Sequence, residues 1–77
     1  MDARFLHILR KIGELEPAAP IAGSQKLHEE LGIDSLKLID LILAIEREFS
    51  VELSEEGLAD ATTVDAVWAH VQERLAV

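Results

Sequence analysis

The chain has 77 residues, of which 49% are apolar, with a formal charge of −8 and no cysteine. That size fits one domain over residues 1–77 with a single dense helical core, and the missing thiols exclude both a disulfide framework and a thiolate metal site. The acidic balance argues against nucleic acid and anionic membrane as partners, because both are bound through basic surfaces, and points to steering toward basic protein partners.

The first segment, MDARFLHILRKIGELEP, puts Phe5, Ile8, Leu9, Ile12 and Leu15 on one face at helical spacing. Asp2 is placed to cap this helix, and Pro17 is expected to end it. The segment carries Asp2, Arg4 and Arg10 in an amphipathic pattern, so it lacks the continuous apolar stretch of a secretory leader. PAAPIAGSQ follows, with prolines, a glycine and small residues that predict a surface loop. From Lys26 to Ile33, Leu27 and Leu31 are expected to pin the loop to the core.

A second helix is predicted from about Ser35 to Phe49. Its apolar run from Leu38 to Ile45 is interrupted by Asp40 and is too short to span a bilayer, so a cytoplasmic protein is expected. SVELSEEG breaks the pattern, and Ser54 can cap a short turn of helix over EEGLAD, weakened by Gly57. TTVDAVWAHVQERL predicts a last helix. Thr62 and Asp65 have capping-box spacing, and Val64, Val67, Trp68, Val71 and Leu75 form its stripe. The expectation is an all-α fold, a small four-helix bundle of three long helices and one short one.

The second helix carries two apolar faces. On a wheel of about 100° per residue, Leu38, Leu41, Ile42, Ile45 and Phe49 share an arc wide enough to fill a core. Leu36, Ile39 and Leu43 fall on another arc, beside Asp40, Glu46 and Arg47. Folding needs only one such stripe, so the second is read as a docking face with an apolar centre and a charged rim. At the start of the helix, Asp34 can cap as well as Ser35 can. If Asp34 caps, the Ser35 hydroxyl points outward at a helix N-terminus, where unpaired N–H groups and the helix dipole favour a phosphate ester by about 0.3–1 kcal/mol.

Catalytic chemistry is poorly supported. Ser35, an aspartate and one of His7, His28 and His70 could be drawn as a triad, but there is no G-x-S-x-G elbow and no Gly-rich oxyanion segment. The histidines fall at positions expected to be partly exposed. No EF-hand spacing and no histidine pair on one helix face is present, so neither a metal nor a catalytic residue is expected.

The motifs LGIDSL, the serine-led helix ending EREF and the closing helix begun by TTV resemble the acyl carrier proteins of fatty-acid and polyketide synthesis. The resemblance runs from Leu27 nearly to the C-terminus. It implies the acyl-carrier-protein fold, with Ser35 bearing a 4′-phosphopantetheine arm taken from coenzyme A by a magnesium-dependent holo-acyl-carrier-protein synthase or another phosphopantetheinyl transferase. The arm would supply the thiol that the chain lacks, with acyl groups carried on it as thioesters. Asp34, Leu36, Ile39, Asp40, Leu43 and Glu46 would then be the partner-recognition face, met by acyl-transferring, ketosynthase-type or adenylating enzymes. The protein would be a monomer that catalyses nothing itself. Leu38, Ile42 and Trp68 are expected to border a space for the acyl chain. Lys37 and Arg47 interrupt the acidic edge usual on this helix in housekeeping carriers, and much of the acidity lies in Glu29, Glu30, Glu52, Glu55 and Glu56. That pattern favours a specialised polyketide, fatty-acid-like or secondary-metabolite pathway. The alternatives are a peptidyl or aminoacyl carrier, which typically reads GG before the serine where this chain reads GIDS, and an unmodified helical interaction module.

Overall fold

A computed structural model describes residues 1–75, with Glu55 and Ala59 described by backbone alone. Four α-helices occur among them: α1 (Ala3–Ile12), α2 (Ser35–Phe49), α3 (Glu55–Ala59) and α4 (Val64–Leu75). α1 starts where Asp2 accepts a hydrogen bond from the Arg4 N–H at 2.7 Å. The Arg4 side chain also bonds this carboxylate and holds it below its usual pKa.

α1 ends one turn earlier than the Pro17 boundary predicts. Glu14 takes a left-handed backbone at φ 55°, its N–H bonds the Lys11 carbonyl, and the Leu15 N–H bonds the Arg10 carbonyl. These two bonds make a Schellman stop, so backbone geometry terminates the helix before proline can. Leu15 is therefore outside the helix, although it still packs on the core half-buried.

The long first connection is held by the start of α4. Lys26 and Thr63 form an isolated antiparallel bridge, the Leu27 N–H bonds the Thr62 carbonyl at 3.0 Å, and the Val64 N–H bonds the Gln25 carbonyl at 3.0 Å. These bonds satisfy backbone groups that loops otherwise leave to water. The same register makes Thr63, not Thr62, the cap of α4: its hydroxyl accepts from the Ala66 N–H at 3.2 Å.

The core draws Phe5 and Leu9 from α1, Leu41, Ile42, Ile45 and Phe49 from α2, and Val64, Val67 and Val71 from α4. Leu27, Leu31 and Ile33 seal it from the first connection, and Leu58 seals it from α3. Trp68 is half-buried, its ring 4.9 Å from Phe5 and 5.8 Å from Phe49 between centroids. Leu75, expected on the buried stripe, is instead exposed at the end of α4. Ser54 caps α3 as predicted, accepting from the Gly57 N–H at 3.0 Å. Gly57 has a packing reason to lie inside that helix, because a Cβ there would stand 2.6 Å from the His70 ring. His70 is thus not the surface residue expected: its side chain is only 16% exposed, and its Nε2 is buried with no hydrogen-bond partner.

Candidate functional site

The site begins with a turn. Leu31 and Ile33 are both buried, and Gly32 between them adopts φ +68°, a left-handed conformation that costs glycine little. The chain is thereby delivered to Asp34 in an extended conformation at the mouth of α2. Asp34 Oδ1 accepts the Lys37 N–H at 2.9 Å, and the Asp34 carbonyl accepts the Leu38 N–H at 2.8 Å. The cap is therefore supplied by the aspartate. Ser35, the first residue of the helix, is exposed, and its hydroxyl is not needed for the helix start. The first N–H groups of α2 have no carbonyl one turn back to bond, which makes this mouth receptive to an anionic ester.

Beside Ser35 opens a cavity of about 380 Å³. Leu27, Ile33, Leu38, Leu58 and Ala61 give it apolar walls, while Asp34, Ser35, His28 and the Lys26–Glu29 ion pair line its polar parts. Of the three residues expected to border an acyl space, only Leu38 lines this cavity. Ile42 is buried in the core, and Trp68 is engaged with Phe5 and Phe49. Sequence reasoning overlooked the contribution of Leu58 and Ala61. The one available signal was Leu58, a lone large apolar residue in the short EEGLAD turn.

The outward stripe of α2 is in water. Leu36 is 76% exposed, Leu43 55% and Ile39 43%, whereas Leu41 and Ile45 on the opposite arc are fully buried. Asp40 is exposed among the three. Glu46 differs from the rest of the expected face: its carboxylate turns inward and accepts the Leu53 N–H at 2.9 Å, fastening the connection to α3. Lys37, which interrupts the acidic edge, reaches back to Glu14 at 3.2 Å. Among the described residues there is no cluster able to hold a metal ion, and no helix is long and apolar enough to cross a membrane.

A bundle that presents an uncommitted hydroxyl at a helix mouth, next to an apolar recess and an exposed apolar helix face, is built to be modified and then handled by other proteins. Residues 4–71 match the phosphopantetheine attachment site family. The chain is similar to acyl carrier protein 3 of Ralstonia nicotianae, with 33% identity over 79% of this chain and 70% of that one. It is also similar to the acyl carrier protein of Thermotoga maritima, with 32% identity over 88% of this chain and 82% of the relative. Among solved structures, a candidate acyl carrier protein from Mycobacterium tuberculosis superposes with a TM-score of 0.82, at 30% identity and 90% coverage of both chains. The chain belongs to the acyl carrier protein family, whose prosthetic group is covalently attached 4′-phosphopantetheine and whose members meet phosphopantetheinyl transferases and acyl-handling enzymes. The exposed hydroxyl, the separate cap and the adjoining recess fit that group.

Proposed function

We propose that Ser35 is the attachment residue and that the chain serves as one carrier domain for acyl groups. The observation that carries this reading is the capping of α2 by Asp34, which leaves the Ser35 hydroxyl exposed and uncommitted. In the modification, Ser35 Oγ forms a new P–O bond and gives up its proton, while the adenosine bisphosphate half of coenzyme A departs. Once bound, the group supplies a terminal thiol to a chain that has none, and acyl cargo is held there as a thioester. The first N–H groups of α2 favour the ester's negative charge. The apolar walls beside Ser35, including Leu27, Leu38 and Leu58, offer shelter to cargo.

On this reading the carrier catalyses nothing itself and works as a cytoplasmic monomer. Leu36, Ile39, Asp40 and Leu43 meet the transferase and the acyl-transferring or ketosynthase-type enzymes, with Asp34 presenting the serine. Glu46 contributes by holding the end of the helix to the α3 connection. The mixed charge on α2, with Lys37 and Arg47 among the acids, supports a dedicated partner set in a specialised polyketide, fatty-acid-like or secondary-metabolite pathway. Intact mass after incubation with coenzyme A and a permissive transferase tests the assignment. Wild type should gain roughly 340 Da as a phosphate ester, and Ser35→Ala should remain folded and gain nothing. An adduct on Ser24 or Ser54, or none across several transferases, overturns it.

A further inference from the structure

A second surface lies at the far end of α2. α1 and the C-terminal half of α2 enclose a groove of about 470 Å³, and Arg4, His7 and Lys11 line it from α1 while Arg47 lines it from α2. Its apolar lining comes from Ile8, Ile12 and Ala44. The chain has only 7 Lys and Arg against 15 Asp and Glu, yet three of those cations converge here against a single lining carboxylate, Glu48. Arg4 is partly engaged, paired with Asp2 at 3.4 Å and lying over the Phe49 ring at 4.5 Å. Lys11 and Arg47 are exposed, and no ion pair among the described residues engages either. Proximity to a helix C-terminus accounts for some preference for Lys11 and Arg47 at their positions, but not for their facing one another across an apolar floor.

The groove is continuous with the exposed stripe of α2. Leu36, Asp40, Leu43 and Arg47 follow one another at helical spacing, so the apolar stripe that starts beside Ser35 runs into the cationic groove. Twelve residues separate Ser35 from Arg47, about 18 Å along the helix. An enzyme covering the stripe reaches both ends.

We propose that this groove is a docking surface for a carboxylate-rich amphipathic segment of the carrier's acyl-handling partner, a reading that rests on the carrier function for the partner's identity. The complementarity is local: glutamates or aspartates meet Lys11 and Arg47 while an apolar face covers Ile8 and Ala44. An anionic bilayer fits less well. The molecule is only 32 × 22 × 20 Å and carries −8, so a flat anionic surface brings Glu14, Asp40 and Glu48 within a few Debye lengths of about 8 Å. A protein segment can confine its negative charge to the groove. The arrangement selects partners that place acid at this distance from the attachment site, which uniformly basic enzymes do not.

The test uses ¹⁵N-labelled full-length protein titrated with an amphipathic peptide of glutamate and leucine at helical spacing. The same peptide with glutamine for glutamate, and vesicles of phosphatidylglycerol, are titrated in parallel. Expected are shifts of backbone amides in residues 4–12 and 44–48 with the glutamate peptide, weakening as the Debye length falls from about 30 Å at 0.01 M salt to about 10 Å at 0.1 M. The double variant Lys11→Glu/Arg47→Glu should lose about tenfold or more in affinity. Lys11→Gln/Arg47→Gln should show an intermediate loss, and it serves should the reversed charges disturb folding. Equal binding of the glutamine peptide, unchanged binding in both variants, or shifts confined to another surface overturns the proposal. Binding of vesicles without binding of the peptide overturns it in favour of a lipid occupant. Mass analysis of Ser35 modification in parallel keeps the two readings apart. Modification without groove binding removes the groove alone, and groove binding without modification removes the carrier reading and with it the partner's assigned role.

Discussion

Leu36 and Leu41 lie on one helix with opposite fates, and truncating each to alanine separates the docking face from the core. Leu41 is fully buried, so Leu41→Ala removes its contacts and leaves a cavity, a loss of about 2–5 kcal/mol. Leu36 is 76% exposed. Full burial of a leucine is worth about 1.5–3 kcal/mol, so the quarter that is covered limits the cost of Leu36→Ala to about 0.5 kcal/mol. In a domain of this size 1 kcal/mol moves the melting temperature by about 4–8 °C, giving a fall of about 2–4 °C for Leu36→Ala and about 10 °C or more for Leu41→Ala. Urea titration at low temperature, with the slope checked for constancy, gives the same comparison should Leu41→Ala melt too early. Against the phosphopantetheinyl transferase the order reverses. Loss of an interface anchor worth about 1–2 kcal/mol lowers the specificity constant for Leu36→Ala about 5- to 30-fold, whereas folded Leu41→Ala is modified at close to the normal rate. Asp40→Lys should slow association in a salt-dependent manner while leaving the melt unchanged. Equal destabilisation by Leu36→Ala and Leu41→Ala would refute the reasoning, because the outer stripe would then be part of the core.

Gly57→Ala should lower stability despite a helix-propensity gain of about 1 kcal/mol, because the new Cβ meets the His70 ring at 2.6 Å. In a His70→Ala background the same substitution should recover most of that loss, a double-mutant cycle read by thermal melts. Ser50→Gly should stabilise by about 0.5–1 kcal/mol, since Ser50 holds a left-handed φ of 55° at the end of α2. Glu14→Gly should gain less than Ser50→Gly in the same urea titration, because it also loses the Lys37 ion pair. Long-chain acyl cargo sheltered beside Ser35 should shift the methyl resonances of Leu27, Leu38 and Leu58 while leaving Trp68 fluorescence unchanged, because Trp68 does not line that cavity. A fluorescence change without methyl shifts would place the cargo against Trp68 and Ile42 instead.

The sequence by itself determined whatever depends on residues one helical turn apart. The period of α2 separates Leu41 and Ile45 from Leu36 and Leu43, and the solvent exposure of the two stripes follows that division. Capping is equally local, so Asp2, Asp34 and Ser54 were legible as helix starts, and with Asp34 came the uncommitted hydroxyl of Ser35. Only the tertiary structure decided features made by distant segments. Thr63 rather than Thr62 caps α4 because the register with Lys26 sets which threonine faces the helix. The recess beside Ser35 needs Leu27, Leu38 and Leu58 to converge from three parts of the chain. Glu46 leaves the docking rim because an unpaired Leu53 N–H lies within its reach, and no periodicity encodes that bond. The cationic groove likewise exists only where α1 lies along α2. Helical spacing aligns Arg4, His7 and Lys11, but bringing Arg47 opposite them requires the buried contacts of Phe5, Leu9, Leu41 and Ile45, whose packing sets the position of one helix on the other.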